Sequence, residues 1–214
     1  MKISTSLLLC LISASVLAQI PTPTPWANQW KSDFSENLKE IVSGSTTGTI
    51  YYDWTNKLFR IDRANGQLDR YCGIPKYIFS KTPCHQYVVS GWRYLHFPEK
   101  KYCCKCCSAE HGCGMVFPTW AKDGKYQGQK TYKDGSVVNE WDVKGLQSNT
   151  YAEILTSHVP KRVFQDPLSD MTFDQSTYST RVDPAVFKLP TDQGCELSCP
   201  SATVCSIVGR TATN

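Results

Sequence analysis

Short segments in which apolar and polar residues alternate run along most of the chain, and turn residues separate them. This alternation is typical of strands that bury one face. It predicts strands at residues 47–54, 58–62, 86–97, 137–141, 151–155, 162–164, 171–173 and 178–182. Many short strands predict a mostly β protein of the α+β class, in which a curved antiparallel sheet surrounds a helix or a cavity.

One segment departs from this alternation. Between residues 32 and 42, four apolar residues follow helical spacing: Phe34, Leu38, Ile41 and Val42. Apolar residues three and four positions apart predict an amphipathic helix of about three turns. The expected architecture therefore contains one or two helices beside the sheet.

The N-terminus has the pattern of a secretory signal peptide. Lys2 precedes an apolar run at residues 7–17, and small residues stand at Val16 and Ala18. The run is too short to span a membrane, and no later segment is long enough. We expect a signal peptide at residues 1–18, a Pro/Thr-rich linker at 19–31 and a single domain at 32–214, in a protein without stable membrane insertion.

The cysteine count agrees with this processing. The sequence has 11 cysteines, and removal of Cys10 with the signal leaves an even set. An even number of cysteines in a secreted chain predicts a disulfide framework. The residues predicted to pair are Cys72, Cys84, Cys103, Cys104, Cys106, Cys107, Cys113, Cys195, Cys199 and Cys205.

The dense cluster at residues 103–113 is open to three interpretations. Its cysteines can be structural staples, they can bind zinc together with His111, or a C-x-x-C pair can exchange disulfides. An oxidising compartment favours staples, and no second C-x-x-C completes a zinc ribbon. We therefore expect no metal ligands and no cofactor.

Charge and motifs exclude other classes of function. The net charge of +4 is spread along the chain, so no basic stripe favours nucleic acid. No G-x-S-x-G motif is present, and no nucleophile, base and oxyanion donor occur in a recognisable arrangement. We expect a protein that is not an enzyme and has no catalytic residues.

Aromatic residues are frequent on the predicted strands. They either fill a core or line a concave sheet that holds an apolar ligand. Under the second interpretation, the ligand-binding residues are Trp54, Phe59, Trp92, Trp141 and Tyr151.

Three stretches, in the same order, resemble landmarks of the ependymin-related family. They are the hairpin at residues 48–62, Pro118-Thr119-Trp120-Ala121 with the later Val137–Trp141 segment, and Asp183–Pro190 followed by Cys195. The cysteine cluster departs from the vertebrate pattern and is more similar to a divergent, non-vertebrate branch. The resemblance implies a half-open barrel like that of bacterial lipoprotein carriers, non-catalytic binding of lipid-like ligands, calcium binding in some members, and homodimers.

Together these features predict a carrier of a hydrophobic or lipid-like ligand that is secreted or directed to a lysosome-like compartment. The alternatives are a secreted cysteine-rich metal-binding module and an extracellular interaction or matrix protein without a small ligand.

Overall fold

A computed structural model describes residues 20–38, 43–67, 69–74, 76–77, 80–145, 147–200 and 204–206. The predicted signal peptide lies outside these residues. The strands are β1 (Gln29–Leu38), β2 (Gly44–Asp53), β3 (Leu58–Arg63), β4 (Cys84–Val89), β5 (Trp92–Phe97), β6 (Tyr102–Ser108), β7 (Lys125–Thr131), β8 (Val137–Lys144), β9 (Ser148–Ile154), β10 (Pro160–Gln165) and β11 (Ser169–Phe173).

These strands form one curved antiparallel sheet that does not close. The order is β6-β5-β4-β3-β2-β1-β11-β10-β9-β8-β7, so β6 and β7 are its edges. The prediction of a mostly β, disulfide-stapled protein with a curved open sheet is confirmed. In the described residues, helix is limited to 204–206 and to short 3-10 turns. No helix there is long and apolar enough to cross a membrane.

The predicted helix at residues 32–42 is wrong, because residues up to Leu38 belong to β1. The burial of β1 alternates, with Phe34 and Leu38 on the buried side. Glu36 lies between them on the same side and is buried too, so the inward set contains a charged residue. A spacing of four residues fits both a helix and a strand, and only tertiary pairing decides between them. Ile41 and Val42 lie outside the described residues.

The long strand predicted at residues 86–97 is two strands joined by a tight turn. β4 ends at Val89 and β5 begins at Trp92, and both Ser90 and Gly91 have positive φ angles. Positive φ at both central residues is the geometry of a two-residue hairpin turn. The Ser-Gly pair is the sequence signal for this turn.

We expect Gly91→Ala to lower the free energy of unfolding by about 1 kcal/mol, because φ is +75° at this position and a side chain adds only backbone strain. No atom lies within 4 Å of the added Cβ, so steric overlap does not contribute. Gly91→Asn should be less destabilising, because Asn tolerates left-handed backbone. Urea unfolding of the three proteins tests this, and an equal loss for Ala and Asn would contradict the explanation.

Three other segments differ from the expected pattern. The strand predicted at residues 178–182 is an irregular segment that pairs with β1 only through a bridge between Lys31 and Ser179. The first four cysteines of the cluster at residues 103–113 lie in β6, which was not predicted, and Cys113 lies in the turn that follows. β7 was not predicted, because its sequence is polar and largely exposed.

The main core lies on one face of the sheet, which we call the inner face. Trp30 of β1, Trp141 of β8 and Tyr151 of β9 are completely buried there. Residues 20–28, which include most of the predicted linker, lie against this face as an N-terminal strap. Its Trp26 packs edge-on against Trp30, and the Trp141 indole donates a hydrogen bond to the Pro21 carbonyl.

The edge strand β6 is covered by the C-terminal segment. The Cys103 amide donates to the Gln193 carbonyl, and the Lys105 amide donates to the Leu197 carbonyl. Three disulfides fasten the two segments together: Cys103–Cys195, Cys104–Cys199 and Cys106–Cys205. An uncovered edge can pair with another chain, and this cover removes that possibility at β6.

Candidate ligand-binding site

A cavity of about 300 Å³ lies between the inner face and the loops that contain residues 69–71 and 112–116. One side of it is apolar and is formed by Leu38, Ile50, Phe59, Ile61, Val163, Met171 and Phe173. The other side is polar and is formed by Glu36, Arg63, Asp69, Gln86 and Arg93. The cavity thus has an apolar surface beside a set of buried charges.

Glu36 and Arg63 form the centre of the polar side. The Arg63 guanidinium donates from Nε and Nη2 to the two carboxylate oxygens of Glu36, at 2.6 and 3.2 Å. The Ser169 hydroxyl donates to the same carboxylate at 2.6 Å. Glu36 and Arg63 are 2% and 6% exposed, so this ion pair is almost free of solvent screening. The two charges therefore hold β1, β3 and β11 in one arrangement.

Asp69 and Gln86 extend the network toward β5. Asp69 lies 3.3 Å from Arg63 and also accepts hydrogen bonds from the Gln86 amide and from the backbone amides of Tyr71 and Cys72. The Gln86 side-chain oxygen accepts a 2.6 Å hydrogen bond from Arg93. The polar side is consequently one connected network that crosses four strands and a loop.

Arg93 closes the network at the 112–116 loop. Its guanidinium donates to the backbone carbonyls of Cys113 and Gly114, at 3.1 and 2.8 Å, and stacks 4.5 Å from the Tyr71 ring centroid. Burial lowers the pKa of this arginine, because a charged group loses solvation in the interior. The guanidinium is held by carbonyl and amide oxygens, so it fixes the position of the 112–116 loop.

The structure separates the five aromatic residues predicted to bind the ligand. Phe59 lines the cavity. Trp54 is half-buried at the end of the sheet where β2 turns into β3. Trp141 and Tyr151 stack with centroids 6.0 Å apart and fill the core beneath the strap. Trp92 lies on the outer face, where the Lys105 ammonium sits 3.8 Å above its ring.

The ten cysteines among the described residues are all paired. Besides the three staples at β6, Cys72 joins Cys84 and Cys107 joins Cys113. The sulfur atoms of Cys106, Cys107 and Cys113 lie within 4.8 Å of one another, a spacing that suits a metal ion. Because each is already in a disulfide, none offers a thiolate as a ligand. The nearby His111 shares a 2.6 Å hydrogen bond with the Ser108 hydroxyl.

The charged residues of this site were not predicted from the sequence. Glu36 and Arg63 occupy inward positions of strands in which the other inward residues are mainly apolar. A charged residue at a position that alternation assigns to the interior is a signal for a buried ion pair, because charged residues are buried only when they are paired. The loop residue Asp69 gives no comparable signal.

The sequence matches no protein-family model and no curated protein. Among solved structures, an uncharacterized conserved protein from Thermus thermophilus is similar over 78% of this chain and 88% of its own, with 12% identity and a TM-score of 0.48. MucB is similar over 83% of this chain, which spans 62% of that protein, with 9% identity and a TM-score of 0.43. A LolA-superfamily protein from Nitrosomonas europaea is similar over 78% and 93%, with 7% identity and a TM-score of 0.34.

Proposed function

We propose that this protein is a non-catalytic, secreted or lysosomal carrier that holds a hydrophobic, lipid-like ligand in the cavity on the inner face. The observation that carries the proposal is the cavity itself, which combines an apolar side with a fixed polar side. Ligand sites are mostly apolar and contain a few well-placed polar groups. The resemblance to the ependymin-related family, which implies binding of such ligands, supports the same proposal and a common origin with that family.

Burial of ligand surface would supply the binding free energy. Apolar contact contributes about 25 cal/mol per Å² removed from water, and association offsets part of this gain. Phe59 and Ile61 of β3 and Met171 and Phe173 of β11 all line the apolar side. The donors of Arg63 and Arg93 are engaged by protein groups, so the polar side favours orientation of a ligand over tight capture of a charge.

Secretion is part of the proposal. Five disulfides need an oxidising compartment to form and persist, as the extracellular space and the secretory pathway provide. The predicted signal peptide supports the same route.

The test is binding of a dansyl-labelled fatty acid to the oxidised protein, together with native mass spectrometry for a co-purified lipid. We expect saturable binding, and Phe59→Ser should weaken it by about tenfold because an apolar wall of the cavity is lost. Phe164→Ser is the matched control, because Phe164 also lies on a strand but alternates with the inward Val163 and does not line the cavity.

Near-ultraviolet circular dichroism would show that both variants keep the native packing. The proposal fails if the wild-type protein neither binds the fatty acid nor carries a lipid. It also fails if Phe59→Ser and Phe164→Ser weaken binding equally.

A further inference from the structure

One end of the sheet exposes apolar side chains that the core does not use. Val116 and Phe117, in the loop at residues 112–118, are 45% and 64% exposed. The Phe117 ring centroid lies 5.0 Å from that of Trp54, and the Lys57 ammonium lies 3.1 Å from the centroid of the Trp54 ring. We call these four residues the aromatic tip.

Hydrogen bonds to backbone carbonyls fix the loop that carries Val116 and Phe117. The Tyr52 hydroxyl donates to the Val116 carbonyl at 2.8 Å, and the Trp26 amide donates to the Pro118 carbonyl at 2.9 Å. The Trp120 amide donates to the Phe117 carbonyl at 3.1 Å. With the backbone held on both sides of Phe117, its ring is presented to solvent by the fold.

The charge of the tip is positive. Among the described residues, Lys57 is in no ion pair and its ammonium contacts the Trp54 ring. The acid of the same turn, Asp53, is 2% exposed, and its carboxylate accepts hydrogen bonds from Gln29 and Asn56. The Lys57 ammonium therefore lies beside exposed apolar groups, and the carboxylate of the same turn is buried and does not neutralise it at the surface.

The tip adjoins the mouth of the cavity. Gly114, Met115 and Val116 line the cavity from the same loop that carries Phe117. A surface that touches Phe117 therefore also touches the loop that lines the cavity.

These features fit a lipid surface better than a second protein chain. Aromatic rings beside lysine are the groups that favour the boundary between lipid headgroups and acyl chains. A stable protein interface covers about 800 Å² on each partner, which is far more than two exposed apolar side chains provide. Anionic headgroups also attract a lysine near the membrane surface.

We propose that the aromatic tip docks the protein on anionic phospholipid membranes, with Phe117 and Val116 entering the interface and Lys57 contacting headgroup phosphates. The contact is peripheral and reversible, because a few side chains are involved and no segment spans the bilayer. Docking needs no ligand in the cavity, so its failure and the failure of the proposed carrier function are distinguishable.

The experiment is co-sedimentation of delipidated, oxidised protein with phosphatidylcholine vesicles, with and without phosphatidylserine. We expect binding that needs phosphatidylserine and weakens as salt is raised. Val116→Ser/Phe117→Ser should weaken binding by at least about tenfold, and Lys57→Gln by about fivefold. Leu197→Ser is the matched control, because Leu197 is 63% exposed but lies on the C-terminal cover of β6.

Three outcomes would overturn the proposal. The first is binding by Val116→Ser/Phe117→Ser that equals the wild type, and the second is an equal loss in Leu197→Ser. The third is absence of vesicle binding with Phe117-dependent self-association in sedimentation velocity, which would assign the tip to contact between two copies of the chain. Because the substituted side chains are exposed, circular dichroism should show native folding in every variant.

Discussion

Arg63→Met should lower the free energy of unfolding by about 3–5 kcal/mol, the loss expected when one partner of a buried ion pair is removed. The substitution leaves the Glu36 carboxylate, 2% exposed, without its bidentate partner, and it also removes a cation 3.3 Å from Asp69. Urea unfolding with the disulfides intact measures the loss.

A second arginine offers a control with the same hydrogen-bond geometry and a different environment. Arg162 donates from Nε and Nη2 to both oxygens of Asp170, at 2.6 and 2.9 Å, but the two side chains are 26% and 30% exposed. Arg162→Met should therefore change stability by about 1 kcal/mol or less, because solvent screens the pair.

The double variant Arg63→Met/Glu36→Gln separates the effect of leaving a buried charge unpaired from the effect of changing the packing. It should recover part of the loss, because no uncompensated carboxylate then remains at position 36. Equal losses for Arg63→Met and Arg162→Met would show that burial of the pair does not determine its effect.

Acidification should destabilise the protein through a pair of histidines on the outer face. His85 of β4 and His96 of β5 are register partners with ring centroids 5.4 Å apart. Burial lowers the pKa of His85 to about 4 and also lowers the pKa of His96. Asp62 opposes the shift at His85, and Arg60, whose guanidinium approaches the His85 ring at 3.4 Å, adds to it.

The direction of the effect follows from the pKa of the unfolded chain, about 6.5. Above that pH neither state binds the proton, and the full stability is present. As the pH falls from 6.5 toward 4, the unfolded state binds a proton that folded His85 does not, so stability decreases by about 3 kcal/mol for this group alone.

Urea unfolding between pH 8 and pH 4 measures this decrease. We expect His85→Gln to flatten the dependence, and His85→Gln/His96→Gln to flatten it further. If the double variant keeps the wild-type slope between pH 6.5 and 4, the histidine pair is not its source.

The β2–β3 hairpin shows where sequence patterns suffice. Alternation in residues 47–54 places Ile50, Tyr52 and Trp54 on one face and Tyr51 on the other. The structure buries Ile50 and Tyr52 on the inner face and leaves Trp54 half-buried. Local alternation and a short turn determine this unit, because both of its strands are adjacent in sequence.

β1 shows where the same pattern misleads. Its inward positions include Ser32 and Glu36, which are buried because Ser32 hydrogen-bonds to Asp174 and Glu36 pairs with Arg63. These partners are distant in sequence, so neighbouring residues do not show that Ser32 and Glu36 are buried. Without them the period-two pattern of β1 cannot be recognised, and the spacing of Phe34 and Leu38 remains consistent with a helix. Tertiary pairing overrides the local signal here.

The candidate site was predictable only in part. An aromatic-rich inner face was expected, and Phe59 does line the cavity. Which aromatic rings fill the core and which face a cavity depends on what covers the sheet, and the strap over Trp141 and Tyr151 is not visible in alternation. The disulfide partners depend on long-range geometry in the same way, because many connectivities fit ten cysteines.

The cover on β6 also sets an order for biosynthesis. The partners of Cys103, Cys104 and Cys106 follow 92, 95 and 99 residues later in the chain. When translation has reached the end of β6, the C-terminal segment that covers this edge of the sheet has not yet been made. The partners of these three cysteines are therefore still absent. Oxidation of these cysteines is therefore a late step in maturation, because the edge of β6 can be covered only after residues 195–205 have been made.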